Sequence, residues 1–448
     1  MMCLPRPRSV VACVFLSLLC LTGCPKSEVP EGGAGGSSSP STSGSKEQAP
    51  PGSTKNATAN ADDVKAAKAR LDALGSRSKY APKAGDLLTE IVIQDGSNLT
   101  SDDLTLFGKL SDLEKLHIYN CRTLDDEMVV KLGGLKSLTS LALTNSVIND
   151  ATVERIVKSF PNLIDLDLSS NTNMTNAVVK ILSELGKLQR LTLVQNQVND
   201  IGARKLAKLQ ELRTLDLRGN MEAGDMALEI VADLPKLTGF KHRSTAVTDS
   251  GLEYLSRNQT LDSLLMQDFG ISDRSGPHLA KLGKLTQLEV FRCQAFGTEG
   301  VLALKGMGLT RLTLRDLPSI DDRAMEVFDD LPKLKRLYLH EITSIGDSGL
   351  NHLAALKSLE LLDLWIVPQM TDATIDVIAT LPQLKELSIR ATGLTDASID
   401  KLLGMQSLQS LTFKENGSVT AAGLKKLATR KWSKLDLGAS DTGDAAVP

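Results

Sequence analysis

Leu334-Lys-Arg-Leu337-Tyr-Leu339-His-Glu-Ile-Thr-Ser-Ile345-Gly-Asp347-Ser-Gly-Leu350-Asn-His-Leu353-Ala-Ala-Leu356 holds two periods in one short stretch. Its first part alternates apolar and polar residues, as a half-buried strand does, and its second repeats apolar residues every three to four, as a helix does. The L-x-x-L-x-L start recurs at Leu88, Leu113, Leu138, Leu163, Leu188, Leu212, Leu237, Leu261, Leu288, Leu309, Leu334, Leu359, Leu384, Leu408 and, degenerately, Trp432. Most intervals are 24 or 25 residues, but the spacing slips to 27 after Leu261 and to 21 after Leu288. One such unit cannot bury its leucines alone, so the copies must stack into a continuous core.

Length and composition agree with a repeat array. The chain has 448 residues, 3% of them aromatic, and single cores stop growing at roughly 250–300 residues. Strands about 4.8 Å apart on one side and helices about 10 Å wide on the other force an array of this kind to curve, strands inside. The expected fold is therefore an α/β right-handed solenoid, or horseshoe, with parallel strands on the concave face and helices on the convex face. With 51 basic and 54 acidic residues and a net charge of −3, the chain has no global signature of nucleic-acid binding.

Asp150, Asp200, Asp225, Asp249, Asp273, Asp347, Asp372 and Asp396 recur at the helix starts, where a carboxylate can cap free N–H groups. The ninth position reads Cys121, Ser146, Asn171, Asn196, Asn220 and Thr245, then turns apolar through Phe269, Phe296, Leu317, Ile342 and Val367. Together with the slip in spacing, this predicts a change of curvature near 261–309. Over about 88–440 the units resemble leucine-rich repeats, in particular the bacterial repeats of that superfamily and the RNI-like, cysteine-containing type. The resemblance implies the fold and a hydrogen-bonded ladder at the ninth position, but no particular ligand.

The first sixty residues read as an address. In MMCLPRPRSVVACVFLSLLCLTGC, Arg6 and Arg8 precede an apolar run from Val10 to Leu21, too short to span a bilayer at the roughly 20 residues required. Leu21-Thr22-Gly23-Cys24 resembles the lipobox of bacterial lipoproteins, which implies a signal peptide over 1–23 and lipid on Cys24. The chain would then be exported and held at a cell membrane by its lipid. Pro25, where that family commonly has an inner-membrane aspartate, points to an outer membrane or a periplasm-facing one. Residues 24–60 are rich in Gly, Ser and Pro, which describes a flexible linker with a reach of roughly 33 Å. Within 61–87, Val64, Ala67, Leu71 and Leu74 share one helical face, as a cap on the first repeat requires, and about 15 repeats fill 88–448. The C-terminal end shows no obvious cap. Cys121 and Cys293 lie about seven strands, or about 34 Å, apart, beyond disulfide reach.

The sequence contains no nucleotide loop, no nucleophile elbow and no metal pattern among its five histidines, so neither an enzyme, a metal nor a cofactor is expected. His242, at an inward strand position, reads as a hydrogen-bonded core residue. Candidate binding residues come from the third, fifth and seventh positions, which face out of the concave sheet. They are Arg218, Lys241, Arg243, Arg292, Arg311, Arg315, Arg336, Tyr338, His340, Trp365 and Arg390. Aromatic and arginine side chains gathered on one open face are the usual makings of a binding hot spot. The expected function is recognition of a protein or peptide, with acidic features, at the cell envelope. The alternative is a spacer or a glycan-binding lipoprotein, since an aromatic ring among charged groups also suits a sugar.

Overall fold

The computed structural model describes residues 60–82 and 87–438, all within one compact unit, Asn56–Pro448. The signal segment 1–23, Cys24, the linker up to residue 59 and the last ten residues lie outside the described residues. Sixteen strands form one open sheet in strict sequence order, from Ser78–Pro82 to Lys434–Asp436. Every pair is parallel except the first, in which Ser78–Pro82 runs antiparallel to Leu88–Ile93. A short α- or 3₁₀-helical segment follows nearly every strand and packs on one side of the sheet, giving the α/β leucine-rich-repeat solenoid.

The leucine framework is the core. Leu334, Leu337, Leu339, Ile345, Leu350, Leu353 and Leu356 of the quoted unit are each at most 1% exposed. A fully buried leucine contributes about 1.5–3 kcal/mol, and stacking is what lets each unit bury its own. At the N-terminal end, helix Ala61–Leu74 buries Val64, Ala67, Leu71 and Leu74 against the first repeat. The antiparallel strand beside it covers what would otherwise be a free sheet edge. Arg70 locks this helix to the next one through Asp103, with contacts of 2.7 and 2.9 Å.

The predicted slip in spacing does not occur. Ser263 pairs with Gln287 and Gln287 with Arg311, a step of 24 residues each time. The true start of that unit is Leu285, with Val290 taking the place of the last leucine. The spacing half of the premise for a change of curvature at 261–309 therefore falls away, while the ninth position does turn apolar, through Phe269, Cys293 and Leu317. Cys293, not Phe296, holds the ninth position, and Arg292 belongs to the turn after the strand rather than to the strand. Two units earlier, in the unit that starts at Leu237, the buried polar residue is Ser244, while Thr245 is exposed.

The ladder itself is present. The Asn171 side chain donates to the carbonyls of Leu143 and Leu168 at 2.8 and 2.9 Å and accepts from the Ser146 N–H at 2.8 Å. Asn196 and Asn220 repeat the pattern. One unit later His242 takes over, with Nδ1 3.1 Å from the Leu217 carbonyl and Nε2 2.8 Å from that of Ala223. The ladder resumes at Asn416, which donates to Ile389 and accepts from Thr392.

The recurrent aspartates do not cap their own helices. Residues just before them do so: the Asn149, Asn199, Thr248, Ser272 and Thr371 side chains accept from their own helices. Each aspartate instead bonds the cap residue of the following unit: Asp150 to Thr175, Asp200 to Gly224, Asp225 to Thr248, Asp249 to Ser272, Asp273 to Gly297, Asp322 to Gly346, Asp347 to Thr371, Asp372 to Thr395 and Asp396 to Thr420. Where the aspartate is missing, Asn176 and Thr298 do the same for Asn199 and Asp321. A carboxylate row thus bolts each unit to the next along one edge of the array.

Candidate binding face

Strand alternation decides which side chains reach the open sheet. In Arg336–His340, Leu337 and Leu339 are buried, leaving Arg336, Tyr338 and His340 on the concave side. Pairing then lines up the seventh positions of five successive strands: Phe291, Arg315, His340, Trp365 and Arg390. They form a ridge of three rings and two guanidinium groups, with His340 and Trp365 side by side. Arg315 lies 4.4 Å from the Phe291 centroid and 5.3 Å from that of Trp365, so it reaches past the intervening strand. Arg390 lies 5.1 Å from Trp365 and Arg292 4.5 Å from Phe291. His340 sits edge-on between Tyr338 and Trp365, with centroid distances of 6.0 and 5.8 Å, and Arg311 covers Tyr338 at 4.9 Å.

The ridge arginines already have carboxylate partners. Asp268 receives both Arg243 and Arg292, at 2.5 and 2.7 Å, Glu341 receives Arg315 at 2.8 Å, and Asp363 receives Arg390 at 3.1 Å. Burial pushes the Asp268 and Asp363 carboxyls upward, but hydrogen bonds and charge from Arg292 and Arg243 in one case, and the neighbouring His340 and the bonded Arg390 in the other, bring both below the usual range. Asp268, Arg292, Asp316 and Glu341 all have φ near +50° to +60°, at the left-handed turn that follows each strand. That turn swings the eighth side chain back beside the seventh, which is how the ridge acquires its counter-charges. The charge-paired ridge therefore does not carry the strong preference for an acidic partner that its arginines alone imply.

Not every candidate joins the ridge. Arg218 folds onto Asp216 in its own unit, with contacts of 3.0 and 2.8 Å. Lys241 and Arg336 are exposed outside it, and Lys241 borders a small hollow with Glu289 and Arg311. Phe291 and Glu289 were missed because the unit was started at Leu288; even 24-residue spacing from Leu261 to Leu309, with valine allowed for leucine, would have found them. Three buried polar atoms in this region, Thr313 Oγ1, His340 Nε2 and Arg390 Nε, have no hydrogen-bond partner. His340 Nε2 is 3.3 Å from Asp363 Oδ2 but is not aligned for a hydrogen bond.

The N-terminal part of the same sheet carries a different cluster. Tyr119 Oη is 3.1 Å from His117 Nδ1, His117 Nε2 is 2.7 Å from Ser140 Oγ, and Ser140 donates to Asp165 at 3.0 Å. Because the Ser140 proton goes to the carboxylate, His117 must donate from Nε2 and accept from Tyr119 at Nδ1. Burial lowers its pKa and keeps it neutral. The arrangement consumes the serine proton rather than activating the serine as a nucleophile. Burial raises the neighbouring Asp167 carboxyl despite its bonds from Ser169. Among the described residues no group of His, Cys, Asp or Glu could hold a metal ion, and no helix is long and apolar enough to cross a membrane.

No family model matches the chain. Among curated proteins, "Putative RNA-binding protein EEED8.10" of Caenorhabditis elegans is 25% identical over 150 residues, 32% of this chain, which spans only about one fifth (20%) of that protein's length. Among solved structures, the yeast Rad7 and Elc1 complex contains a chain with 19% identity and a TM-score of 0.54, covering 78% of this chain and 90% of that one. An internalin (inlF) of Listeria monocytogenes has 20% identity and a TM-score of 0.44, covering 80% and 96%. The likeness to the yeast chain is one of fold: this chain is a leucine-rich-repeat solenoid.

Proposed function

We propose that this chain is a non-enzymatic binding module that presents its concave ridge to a protein or peptide at the cell envelope, held to the membrane by lipid on Cys24. One observation carries the reading: a chain with two tryptophans and four tyrosines places Trp365 and Tyr338 on adjacent strands of its open sheet, interleaved with arginines. Ring and guanidinium surfaces of this kind gain most when a partner removes them from water. Pairing within the ridge preorganises those side chains, so a partner loses less entropy in ordering them. The partner is expected to match a ridge whose positive charge is reduced but not cancelled, since Asp268 serves both Arg243 and Arg292, with its polar groups meeting the outer edges of the ion pairs.

The test is affinity capture from detergent-solubilised envelope with the wild-type chain and the Arg315→Ala/Trp365→Ala double variant, both checked for folding by circular dichroism. A protein recovered by wild type and lost from the variant is the expected result. Equal recovery by both would remove the ridge from the binding surface.

A further inference from the structure

Beyond the ridge, the concave sheet contains a hollow of about 530 Å³ over its last strands. We propose that this hollow is a saccharide site. It arises from a step in side-chain size: the fifth positions of successive paired strands run Tyr338, Asp363, Ser388 and Thr412. With Ser410 at the third position beside them, the small residues of the floor present three hydroxyl groups, those of Ser388, Ser410 and Thr412, and none has a protein partner among the described residues. The volume lies within the ordinary range for small-ligand sites, about 300–1,000 Å³.

The chemistry of the lining selects the ligand class. A hydroxyl both donates and accepts, so three unpaired hydroxyls match a ligand that also does both at closely spaced points. An ammonium or a carboxylate would use half of that capacity. The walls hold two ion pairs, Asp363–Arg390 at 3.1 Å and Lys414–Asp436 at 2.7 Å, and at the rim Glu386 and Glu415 are offset in part by Lys434. They retain spare lone pairs and N–H groups, but their charges largely cancel, which favours a neutral polyol over an ion. On the N-terminal side the wall is the Tyr338 ring, against which the C–H face of a pyranose can lie. Tyr338 has one guanidinium group against it, that of Arg311, whereas Trp365 has two, those of Arg315 and Arg390. The hollow shares Tyr338 and the Asp363–Arg390 pair with the ridge, but its floor hydroxyls belong to none of the ridge contacts, so this site does not rest on the protein-binding reading.

The experiment is isothermal titration of the full chain with N,N′-diacetylchitobiose, cellobiose and maltose. Saturable binding of at least one is expected. Ser388→Ala should weaken it by about two- to tenfold, the worth of one hydrogen bond, and Ser388→Trp, which fills the hollow, should abolish it. Arg315→Ala, which alters the ridge alone, should leave it unchanged. The proposal is overturned if none of the three sugars binds saturably, or if binding survives in a folded Ser388→Trp chain. It is equally overturned if Ser388→Trp removes capture of a protein partner while no sugar binds, because the hollow would then belong to the protein-binding face.

Discussion

The Asp347 carboxylate accepts from the Thr371 N–H at 2.9 Å and from the Thr371 hydroxyl at 2.5 Å, one unit downstream. It also accepts from Thr374. Asp347→Ala removes an acceptor from three donors at once and should cost about 2–4 kcal/mol, since hydrogen bonds to charged groups contribute about 1.5–3 each and the losses are not additive. Asp347→Asn should cost less, because Asn176 already bonds the Asn199 N–H in this way. Urea unfolding of both variants checks the order; equal losses would show that charge, not an acceptor, is what the site requires.

The same row contains glycines whose missing Cβ is explained by the preceding carboxylate. A Cβ at Gly251 would come 2.5 Å from Asp225 Oδ1 and one at Gly349 2.7 Å from Asp322 Oδ1. Gly251→Ala should therefore destabilise, despite a helix-propensity gain of about 1 kcal/mol. Gly404, at the end of helix Ala397–Gly404, has open space around it, and Gly404→Ala should stabilise by about 0.4–1 kcal/mol. Opposite signs for one chemical change, read by thermal unfolding, are the expected result.

Much of this edge could be read from the letters, and part of it could not. The leucine, aspartate and asparagine columns were visible because burial and regular hydrogen bonding tolerate few residue types. The destination of each aspartate was not, because a carboxylate at a helix start has the same pattern whether it serves its own helix or the next. The ridge was half visible for a related reason. Arg315, Tyr338, His340, Trp365 and Arg390 follow from alternation, but Phe291 was hidden by the choice between Leu285 and Leu288, three residues apart. The counter-charges Asp268 and Glu341 depend on a left-handed turn that no residue preference announced, since the same turn takes Asn120, Ser170 and Ile366.

Two carboxyl groups should move stability in opposite directions with pH. For Asp347 the folded pKa lies below its unfolded value of about 3.9. Its contribution is fully present above that value and is lost as the pH falls through the folded pKa. For Asp167 the folded pKa is raised, so its contribution is fully present below about pH 3.9 and is lost as the pH rises through the folded value. Asp167→Asn keeps an oxygen for Ser169 and removes the buried charge. At pH 7 it should match or exceed the wild-type melting temperature, and a clear drop would contradict this account.

Cys121 and Cys293 are both fully buried, and burial pushes each thiol up to about 12. Neither should react with a disulfide reagent at pH 8 until the chain is unfolded. The ratio of labelling rates in buffer and in urea measures this; rapid labelling of either in buffer would show that its unit opens locally.

The proposed anchor has its own assay. Cells given radiolabelled palmitate should transfer label to the wild-type chain and not to Cys24→Ser, which should also leave the membrane fraction. Label retained by the serine variant would place the lipid elsewhere or show that there is none.

The carboxylate row is directional: each unit carries an acceptor for the unit after it and a donor for the unit before it. A whole unit can therefore be inserted or excised without leaving an unmatched group at the seam, since the new neighbours present the same acceptor and donor as the old ones. Partial units lack that property. The array is thus built to change length in steps of 24 or 25 residues, and duplication is a change that it can absorb before any side chain has adapted.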